Sequence, residues 1–128
     1  MKPFVYIASP YTKGDPCINT WAQIQTFNEL MDDGVVWPYI PLTSHFLHTT
    51  HPRKYQDWID YDLDIIHKMD AVLRIDSICG HMSYHVSESS GADGEELKAS
   101  EIGIPIFYNK FDLYDWSNGD FTICQSSD

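Results

Sequence analysis

A glycine-rich segment that ends in acidic residues is the first candidate for chemistry in this sequence. It reads Ser-Ser-Gly-Ala-Asp-Gly-Glu over Ser89–Glu95. Small residues let a backbone approach a ligand closely, and the free N–H groups of a first helical turn attract an anion. Composition alone favours a simpler role, in which the glycines shape a turn and the acids complement the helix dipole. The segment is neither a Gly-x-Gly-x-x-Gly fingerprint nor a P-loop.

Asp62 is a second candidate because it falls inside an apolar stripe. It lies three and four residues from Ile59 and Trp58, and again from Ile65 and Ile66, so a helix turns it toward the core. A carboxyl that faces a core or cleft has a raised pKa and is a candidate proton donor. Capping or hydrogen bonding to buried backbone is an equally weighted alternative.

The third candidate is the segment Tyr6–Tyr11, which reads Tyr-Ile-Ala-Ser-Pro-Tyr. A strand that runs directly into Ser-Pro-Tyr brings the Ser9 hydroxyl and the Tyr11 ring to its carboxyl end. Considered alone, the segment is more typical of an ordinary turn. The chain has no Gly-x-Ser-x-Gly motif, and none of its cysteines has an evident histidine partner.

Hydrophobic patterning predicts alternating strands and helices that position these residues. The expected strands are Phe4–Ala8, Val35–Ile40, Ala71–Ile75 and Ile104–Tyr108, and the expected helices are 16–33, 54–69 and 91–102. Residues 45–53 are expected to be irregular or short-helical, and the tail from Asn109 to contain a short helix and a last strand.

Almost wholly apolar strands separated by helices predict a parallel sheet covered on both faces. The fold class is therefore α/β, a small three-layer α/β/α sandwich of the flavodoxin or Rossmann-like kind, with one domain over residues 1–128. Ligands of such sheets bind beyond the carboxyl ends of the strands. The three candidate segments all belong to that edge or to the helices that begin there.

Composition and charge exclude several classes of function. The formal net charge of −11, without a basic stripe, disfavours polymeric nucleic acid as a partner. No apolar run approaches the roughly 20 residues that cross a bilayer, and the N-terminus lacks a signal-peptide core, so we expect no membrane association and a cytoplasmic protein. Three scattered cysteines predict free thiols, and the spacing of the six histidines predicts no metal site.

Taken together in one frame, the segments resemble the nucleoside 2-deoxyribosyltransferase-like superfamily, which includes the 2′-deoxynucleoside 5′-phosphate N-hydrolases. The resemblance covers roughly Phe4 to Tyr108. Its marks are Tyr-Ile-Ala-Ser-Pro-Tyr from Tyr6, Asp-Leu-Asp-Ile-Ile from Asp62, Met-Asp-Ala-Val from Met69, Ser89-x-Gly91-x-x-x-Glu95 with Ala99, and Gly-Ile-Pro from Gly103.

The resemblance implies cleavage of an N-glycosidic bond without a cofactor. Glu95 would attack the anomeric carbon and form a glycosyl-enzyme ester, and Asp62 would act as the acid near the base. Tyr6 or Tyr11 would line the sugar, while Ser9 and Gly91 belong to the substrate-binding motifs. Many relatives assemble as homodimers or larger homo-oligomers. Aromatic residues of the tail suit an interface, but they suit packing on the chain's own sheet equally well: Phe111, Tyr114 and Trp116.

Ser89 informs the choice of substrate within this resemblance. Transferases typically carry an acid at the matching position, which grips a free 5′-hydroxyl, whereas a serine at a helix N-terminus tolerates phosphate. We therefore expect a nucleoside 5′-monophosphate hydrolase, with base exchange between deoxynucleosides and a non-catalytic nucleotide-binding module as alternatives. Two features depart from the pattern: the connection 76–88 is long, and the cations near the predicted loops are only Arg53, Lys54 and Arg74.

Overall fold

The structure is a computed structural model that describes residues 1–11, 15–75 and 90–122. Strands and helices alternate along the chain as β1 (Phe4–Ala8), α1 (Pro16–Asp33), β2 (Trp37–Tyr39), α2 (Ser44–Thr50), α3 (Tyr55–Ile66), β3 (Ala71–Arg74), α4 (Ser90–Ile102), β4 (Ile106–Phe107) and α5 (Lys110–Trp116). A 3₁₀ turn at Pro41–Thr43 precedes α2, and a π-helical turn at Ser117–Phe121 follows α5.

The four strands form one parallel sheet in the order β2-β1-β3-β4. From β1 the chain moves outward to β2 and then returns past β1 to β3. These two crossovers run in opposite directions, so right-handed connections place α1 on one face of the sheet and α3 and α4 on the other. The predicted α/β fold with a parallel sheet between helical layers is confirmed.

Two hydrophobic cores, one on each face, follow from the alternation of side chains along the strands. The first gathers Val5 and Ile7 of β1 with residues of α1 and α5, such as Leu30 and Leu113. The second gathers Tyr6 and Ala8 of β1 with residues of α3 and α4: Ile66, Ala92 and Ala99. The face that carries Tyr6 is therefore the one covered by the helices that carry Asp62 and Glu95.

The ends of α1 show how the sequence sets its boundaries. The Asp15 side chain caps the helix by accepting from the backbone N–H groups of Cys17 at 2.8 Å and Ile18 at 3.3 Å. Pro16 takes the first helical position, where a missing N–H has no consequence. Gly34 ends the helix with φ 70°, in the left-handed region that glycine adopts without strain. The predicted start and end of this helix are confirmed.

Other elements differ from their predicted lengths. β2 spans only Trp37–Tyr39 and pairs with β1 alone, because Pro38 cannot donate to a second neighbour and is tolerated at an edge. β4 is reduced to Ile106–Phe107. Residues 44–50 form a complete short helix where irregular structure was the other expectation. The last strand expected in the tail is absent from the described residues 109–122, which form α5 and the π-helical turn.

Two of the three aromatic residues of the tail pack within the chain, and the third is exposed. Trp116 stacks beside Phe107 of β4 with ring centroids 5.5 Å apart, and Tyr114 packs against the core on the α1 side. Phe111 is 70% exposed. Among the described helices, none has both the length and the apolar character that crossing a membrane requires.

A buried glutamine ties α1 to the carboxyl edge of the sheet. Gln23 is fully buried, and its amide nitrogen donates to the Ile7 carbonyl at 3.0 Å and to the Ser9 hydroxyl at 2.8 Å. Its amide oxygen accepts from the backbone N–H of Leu42 at 3.1 Å. One side chain thus joins the end of β1, the residue beyond it and the turn that follows β2.

We expect Gln23→Met to lower the free energy of unfolding by about 2–4 kcal/mol, because it leaves the buried Leu42 N–H without its acceptor while keeping a similar volume. Urea denaturation measures this change. Gln25→Met, at an exposed position of the same helix, is the matched control and should stay within about 0.5 kcal/mol of wild type. Equal effects of the two substitutions would show that the tie contributes nothing to stability.

Candidate functional site

Two carboxyl groups from neighbouring helices face the sheet on the same side. Asp62 lies in the second half of α3 and Glu95 in the second turn of α4, and the two helices pack against each other. Glu95 is 8% exposed and Asp62 is half-buried. Within the described residues, Asp62 Oδ1 and Glu95 Oε2 are buried and have no hydrogen-bond partner. Buried polar atoms are almost always paired, so this pair is exceptional.

The pattern of α3 explains why Asp62 alone among its acids turns inward. Asp57, Asp60 and Asp64 are exposed, whereas Ile66, four residues after Asp62, is fully buried in the core beneath α3. Residues four apart share a helix face, so the same stripe that buries Ile66 carries Asp62 toward the sheet.

The pattern of α4 explains the position of Glu95 in the same way. Ala92 and Ala99 lie three residues before and four residues after it, and both are buried against the sheet. Their small side chains let the helix approach the sheet closely, so the Glu95 side chain reaches the sheet surface. The next residue, Glu96, points instead to Arg74 and Tyr108.

Burial dominates the ionisation of both carboxyls. It raises the pKa of Glu95 to about 8; the facing Tyr6 hydroxyl lowers that pKa, the Asp62 carboxylate raises it, and the Arg74 guanidinium lowers it. Burial also raises the pKa of Asp62 to about 7. Near neutral pH the two groups therefore hold at least one proton between them, which is the condition for acid and nucleophile to coexist.

Two tyrosines complete the floor of the site. Tyr6 and Tyr39 are register partners on β1 and β2, and their ring centroids lie 5.7 Å apart. Burial is the main cause that raises the pKa of each, and the Glu95 carboxylate raises both further. Both hydroxyls are thus neutral donors at pH 7. The Tyr6 hydroxyl faces Glu95 and favours its ionised form, although no hydrogen bond of good geometry joins the two groups.

Tyr39 was not among the predicted site residues, although the sequence indicates its position at the edge of the sheet. Tyr39 is the last residue of β2, as expected for a residue at the binding edge of a parallel sheet. Pairing the two apolar runs in parallel places this tyrosine opposite Tyr6. The sequence alone does not give the register of the two strands, so the match was not recognised.

Arg74, the last residue of β3, is a buried cation beside the site. Its guanidinium is fully buried and forms ion pairs with Asp93 at 2.9 Å and Glu96 at 2.7 Å. The Tyr108 hydroxyl donates to the other oxygen of Glu96 at 2.6 Å. The arginine is therefore held by the two acids that flank Glu95 along α4. In the sequence, Arg74 is recognisable only as one of the few cations near the predicted loops.

Ser9 and Tyr11 lie at the carboxyl edge of the sheet, but their polar groups contact α1 and α2. The Ser9 hydroxyl is buried and accepts from Gln23. The Tyr11 hydroxyl and His45 Nδ1 of α2 are 2.6 Å apart, and the Tyr11 carbonyl accepts from Asn19 at 2.8 Å. These contacts lead to α1 and α2 rather than to the two carboxyls.

The glycine-rich segment forms the start of α4, within one residue of the predicted helix 91–102. α4 begins at Ser90, so Gly91 lies in its first turn and Glu95 in its second. A Cβ at Gly94 would meet nothing within 4 Å, so packing within the described residues does not require this glycine. Ser89 and the long connection 76–88 lie outside the described residues.

The histidines of α2 are engaged in hydrogen bonds. His48 Nδ1 accepts from the indole N–H of Trp58 at 3.0 Å and from the backbone N–H of Arg53 at 3.2 Å, and His45 pairs with Tyr11. In the described ranges, no three His, Cys, Asp or Glu side chains converge on a common point. Cys17 is an exposed free thiol, and the other two cysteines lie outside these ranges.

Comparison with known proteins does not assign the chain to a family. No protein-family model matches the sequence, and no curated protein matches it significantly. The similarity to deoxyribosyltransferases thus remains a resemblance of motifs, and the case for function rests on the residues of the site.

We expect Glu95 to make stability depend on pH. Its pKa is raised from the ordinary 4.5 to about 8, so its contribution to stability is complete below pH 4.5 and is lost as the pH rises through 8. Glu95→Gln has no such loss. Its free energy of unfolding should therefore increase relative to that of wild type by on the order of 2–4 kcal/mol between pH 5 and pH 9.

Urea denaturation at the two pH values measures this difference. Glu101→Gln, at an exposed position of the same helix, is the control and should follow wild type at both. If Glu95→Gln also follows wild type, Glu95 is not a desolvated carboxyl.

Proposed function

We propose that this protein cleaves the N-glycosidic bond of a nucleoside 5′-monophosphate, with Glu95 as the nucleophile and Asp62 as the acid. The observation that carries the proposal is the pair of buried carboxyl oxygens, on two adjacent helices, that have no hydrogen-bond partner among the described residues. Such desolvated acids at a ligand-binding edge are costly to the fold, and catalysis is the usual reason for keeping them.

The chemistry proceeds by two displacements at the anomeric carbon. The Glu95 carboxylate attacks this carbon as Asp62 gives a proton to the departing base, which leaves a glycosyl ester on Glu95. Water then attacks the same carbon and gives its proton to the Asp62 carboxylate. The sugar 5′-phosphate is released, and both carboxyls return to their starting states.

The reaction requires the proton to sit on Asp62 rather than on Glu95. Without substrate the opposite distribution is favoured, because Glu95 has the higher pKa of the two. Positive charge that develops on the sugar ring favours the Glu95 anion. The Tyr6 hydroxyl and the Arg74 guanidinium already lower the pKa of Glu95, so they reduce the proton transfer that the substrate must bring about.

Aromatic side chains near Asp62 support a planar base as the leaving group. Tyr61, the residue before Asp62 on α3, is 53% exposed and lies edge-on to Trp58 with ring centroids 6.4 Å apart. The Tyr61 and Asp62 side chains both raise the pKa of Tyr39, so the three groups are close together. Stacking on an exposed ring is the common way in which proteins hold a nucleobase.

The 5′-phosphate of the substrate is the second part of the proposal. It rests on the serine at position 89 and on two exposed cations, Arg53 and Lys54, just before α3. Helices of a parallel α/β fold begin at the carboxyl edge of the sheet, which puts these cations at the same edge as the carboxyls. Arg74 is already neutralised by two acids, so it is less suited to grip phosphate.

A substrate panel tests the activity. Each deoxynucleoside and its 5′-monophosphate is incubated with the protein, with and without adenine, and free bases are measured by liquid chromatography. We expect free base and sugar phosphate from a monophosphate alone. A new nucleoside that forms only with adenine would instead establish base exchange. Ligand binding without turnover, unchanged by Glu95→Ala, would establish a binding module.

We expect Glu95→Gln to reduce turnover by on the order of 10³-fold or more, because the amide cannot form the ester. Mass spectrometry of wild type quenched in acid should show a sugar phosphate attached to the peptide that contains Glu95. Glu101→Gln should keep wild-type turnover. If Glu95→Gln is as active as Glu101→Gln, the nucleophile has been misassigned.

The pH dependence of kcat/KM should be bell-shaped, with limbs near pH 7 and pH 8, because one carboxyl must be ionised and the other protonated. Asp62→Asn removes the alkaline limb and leaves a single limb, the ionisation of Glu95, which falls below pH 8 because the Asp62 charge that raises the pKa of Glu95 is gone. Its rate should fall by about 10²- to 10⁴-fold. Asp64→Asn, exposed on the same helix, should keep both limbs; an unchanged alkaline limb in Asp62→Asn would contradict the role of Asp62 as the acid.

A further inference from the structure

We propose that Arg74 is a positioning residue: by ion pairing with Asp93 and Glu96 it fixes the first two turns of α4 and holds the Glu95 carboxylate at its point of attack. This inference rests on the proposed role of Glu95 as nucleophile. It concerns a residue of β3 that transfers no proton and forms no covalent bond in the reaction.

The geometry of the ion pairs carries the inference. The Arg74 guanidinium is fully buried, while the Asp93 side chain is 56% exposed and the Glu96 side chain 19% exposed. Asp93 and Glu96 lie two residues before and one residue after Glu95, so a single cation holds the helix on both sides of the nucleophile. The hydroxyl of Tyr108, just after β4, donates to Glu96 and extends this attachment to the far edge of the sheet.

The location of Arg74 gives it a mechanical role that a surface ion pair lacks. Arg74 ends β3, and its position in the sheet is set by pairing with Ala8 of β1. The guanidinium therefore links the rigid end of the sheet to the helix that carries the nucleophile. One guanidinium nitrogen, Nη1, donates to both acids, and it lies one bond farther from the backbone than the ammonium of a lysine would.

Arg74 also acts on Glu95 through charge. Glu95 faces Tyr6 from β1, Tyr39 from β2, Asp62 from α3 and Arg74 from β3, while Asp93 and Glu96 flank it on its own helix. Arg74 is the cation in this set. Replacing it leaves the carboxyl facing neutral tyrosines and acids, so both the position and the ionisation of Glu95 should change.

A titration of the ligand-free protein tests the proposal independently of activity. The pKa of Glu95 is measured by NMR of ¹³C-labelled glutamate carboxyls in wild type, Arg74→Met and Arg74→Lys. We expect Arg74→Met to raise this pKa by about one to two units and Arg74→Lys to keep it close to wild type. Lys68→Met, at an exposed position after α3, is the matched control for loss of a cation and should leave it unchanged.

Kinetic measurements then separate the effect of Arg74 on the position of Glu95 from its effect on the charge of Glu95. Arg74→Met should lower kcat roughly 10- to 100-fold with little change in KM and move the alkaline limb of the kcat/KM profile upward, because the higher of the two pKa values belongs to Glu95. Arg74→Lys should restore this limb but not the full kcat, because the lysine side chain is one bond shorter and its ammonium reaches the two acids less well. Arg74→Met combined with Glu96→Gln removes the cation together with its nearer acid, and it replaces Arg74→Met if that variant does not fold.

The outcomes distinguish the two proposals. If the pKa of Glu95 is the same in wild type, in Arg74→Met and in the double variant, Arg74 has only a structural role and the inference is overturned. If the pKa shifts as expected but wild type turns over no substrate, Arg74 acts on Glu95 as inferred and it is the proposed N-glycosidase function that fails.

Discussion

The chain leaves β1 toward one edge of the sheet and later passes to the other edge, and the rest of this structure depends on this reversal of strand order. The crossover to β2 leaves β1 on one side and the crossover to β3 arrives on the other, so right-handed connections must place α1 opposite α3 and α4. The carboxyl ends of β1 and β3 are then left without a helix directly across them, which is where such sheets bind ligands. Both carboxyls of the candidate site belong to the two helices on one face, so strand order alone brings them together.

Desolvation of the Asp62 and Glu95 carboxyls opposes folding, and polar contacts near the site stabilise the structure around them. Gln23 satisfies backbone groups at the ends of β1 and β2 on the opposite face, which keeps that edge rigid without charge. Arg74 forms ion pairs with Asp93 and Glu96 close to Glu95. One oxygen of each carboxyl, Asp62 Oδ1 and Glu95 Oε2, has no hydrogen-bond partner among the described residues. Uncompensated desolvation of this kind is typical of sites that trade stability for chemistry.

The fold was largely predictable from the sequence because its signals are local. The cap at Asp15, the stop at Gly34 and the apolar run Phe4–Ala8 each depend on a few neighbouring residues, and each was predicted correctly. Lengths of the edge strands were not, because β2 ends opposite Tyr6 and β4 opposite Leu73, before their neighbours β1 and β3 end, and this pairing is set by tertiary contacts rather than by local sequence. The inward turn of Asp62 was predicted from helical spacing, and Glu95 was selected by resemblance to a family.

The rest of the site depends on register and packing, which sequence patterns do not encode. Tyr39 joins the site because β2 pairs with β1 in the register that sets it opposite Tyr6. Arg74 joins it because β3 ends at the level of the first turns of α4. A strand slip of one residue would turn either side chain to the other face of the sheet. Ser9 was predicted as a substrate-binding residue from its place at the carboxyl edge of the sheet. Its hydroxyl instead accepts a hydrogen bond from Gln23 of α1.

The spacing Ala92–Glu95–Ala99 explains why the nucleophile candidate is a helical residue rather than a loop residue. Two alanines on one face bring α4 close to the sheet, and the residue between them must then reach the sheet surface. A larger residue at either position would lift the helix and withdraw Glu95 from Tyr6. A helix held at this distance fixes a side chain more closely than a glycine-rich loop does. The glycines of the segment therefore matter less for placing the carboxyl than its alanines do.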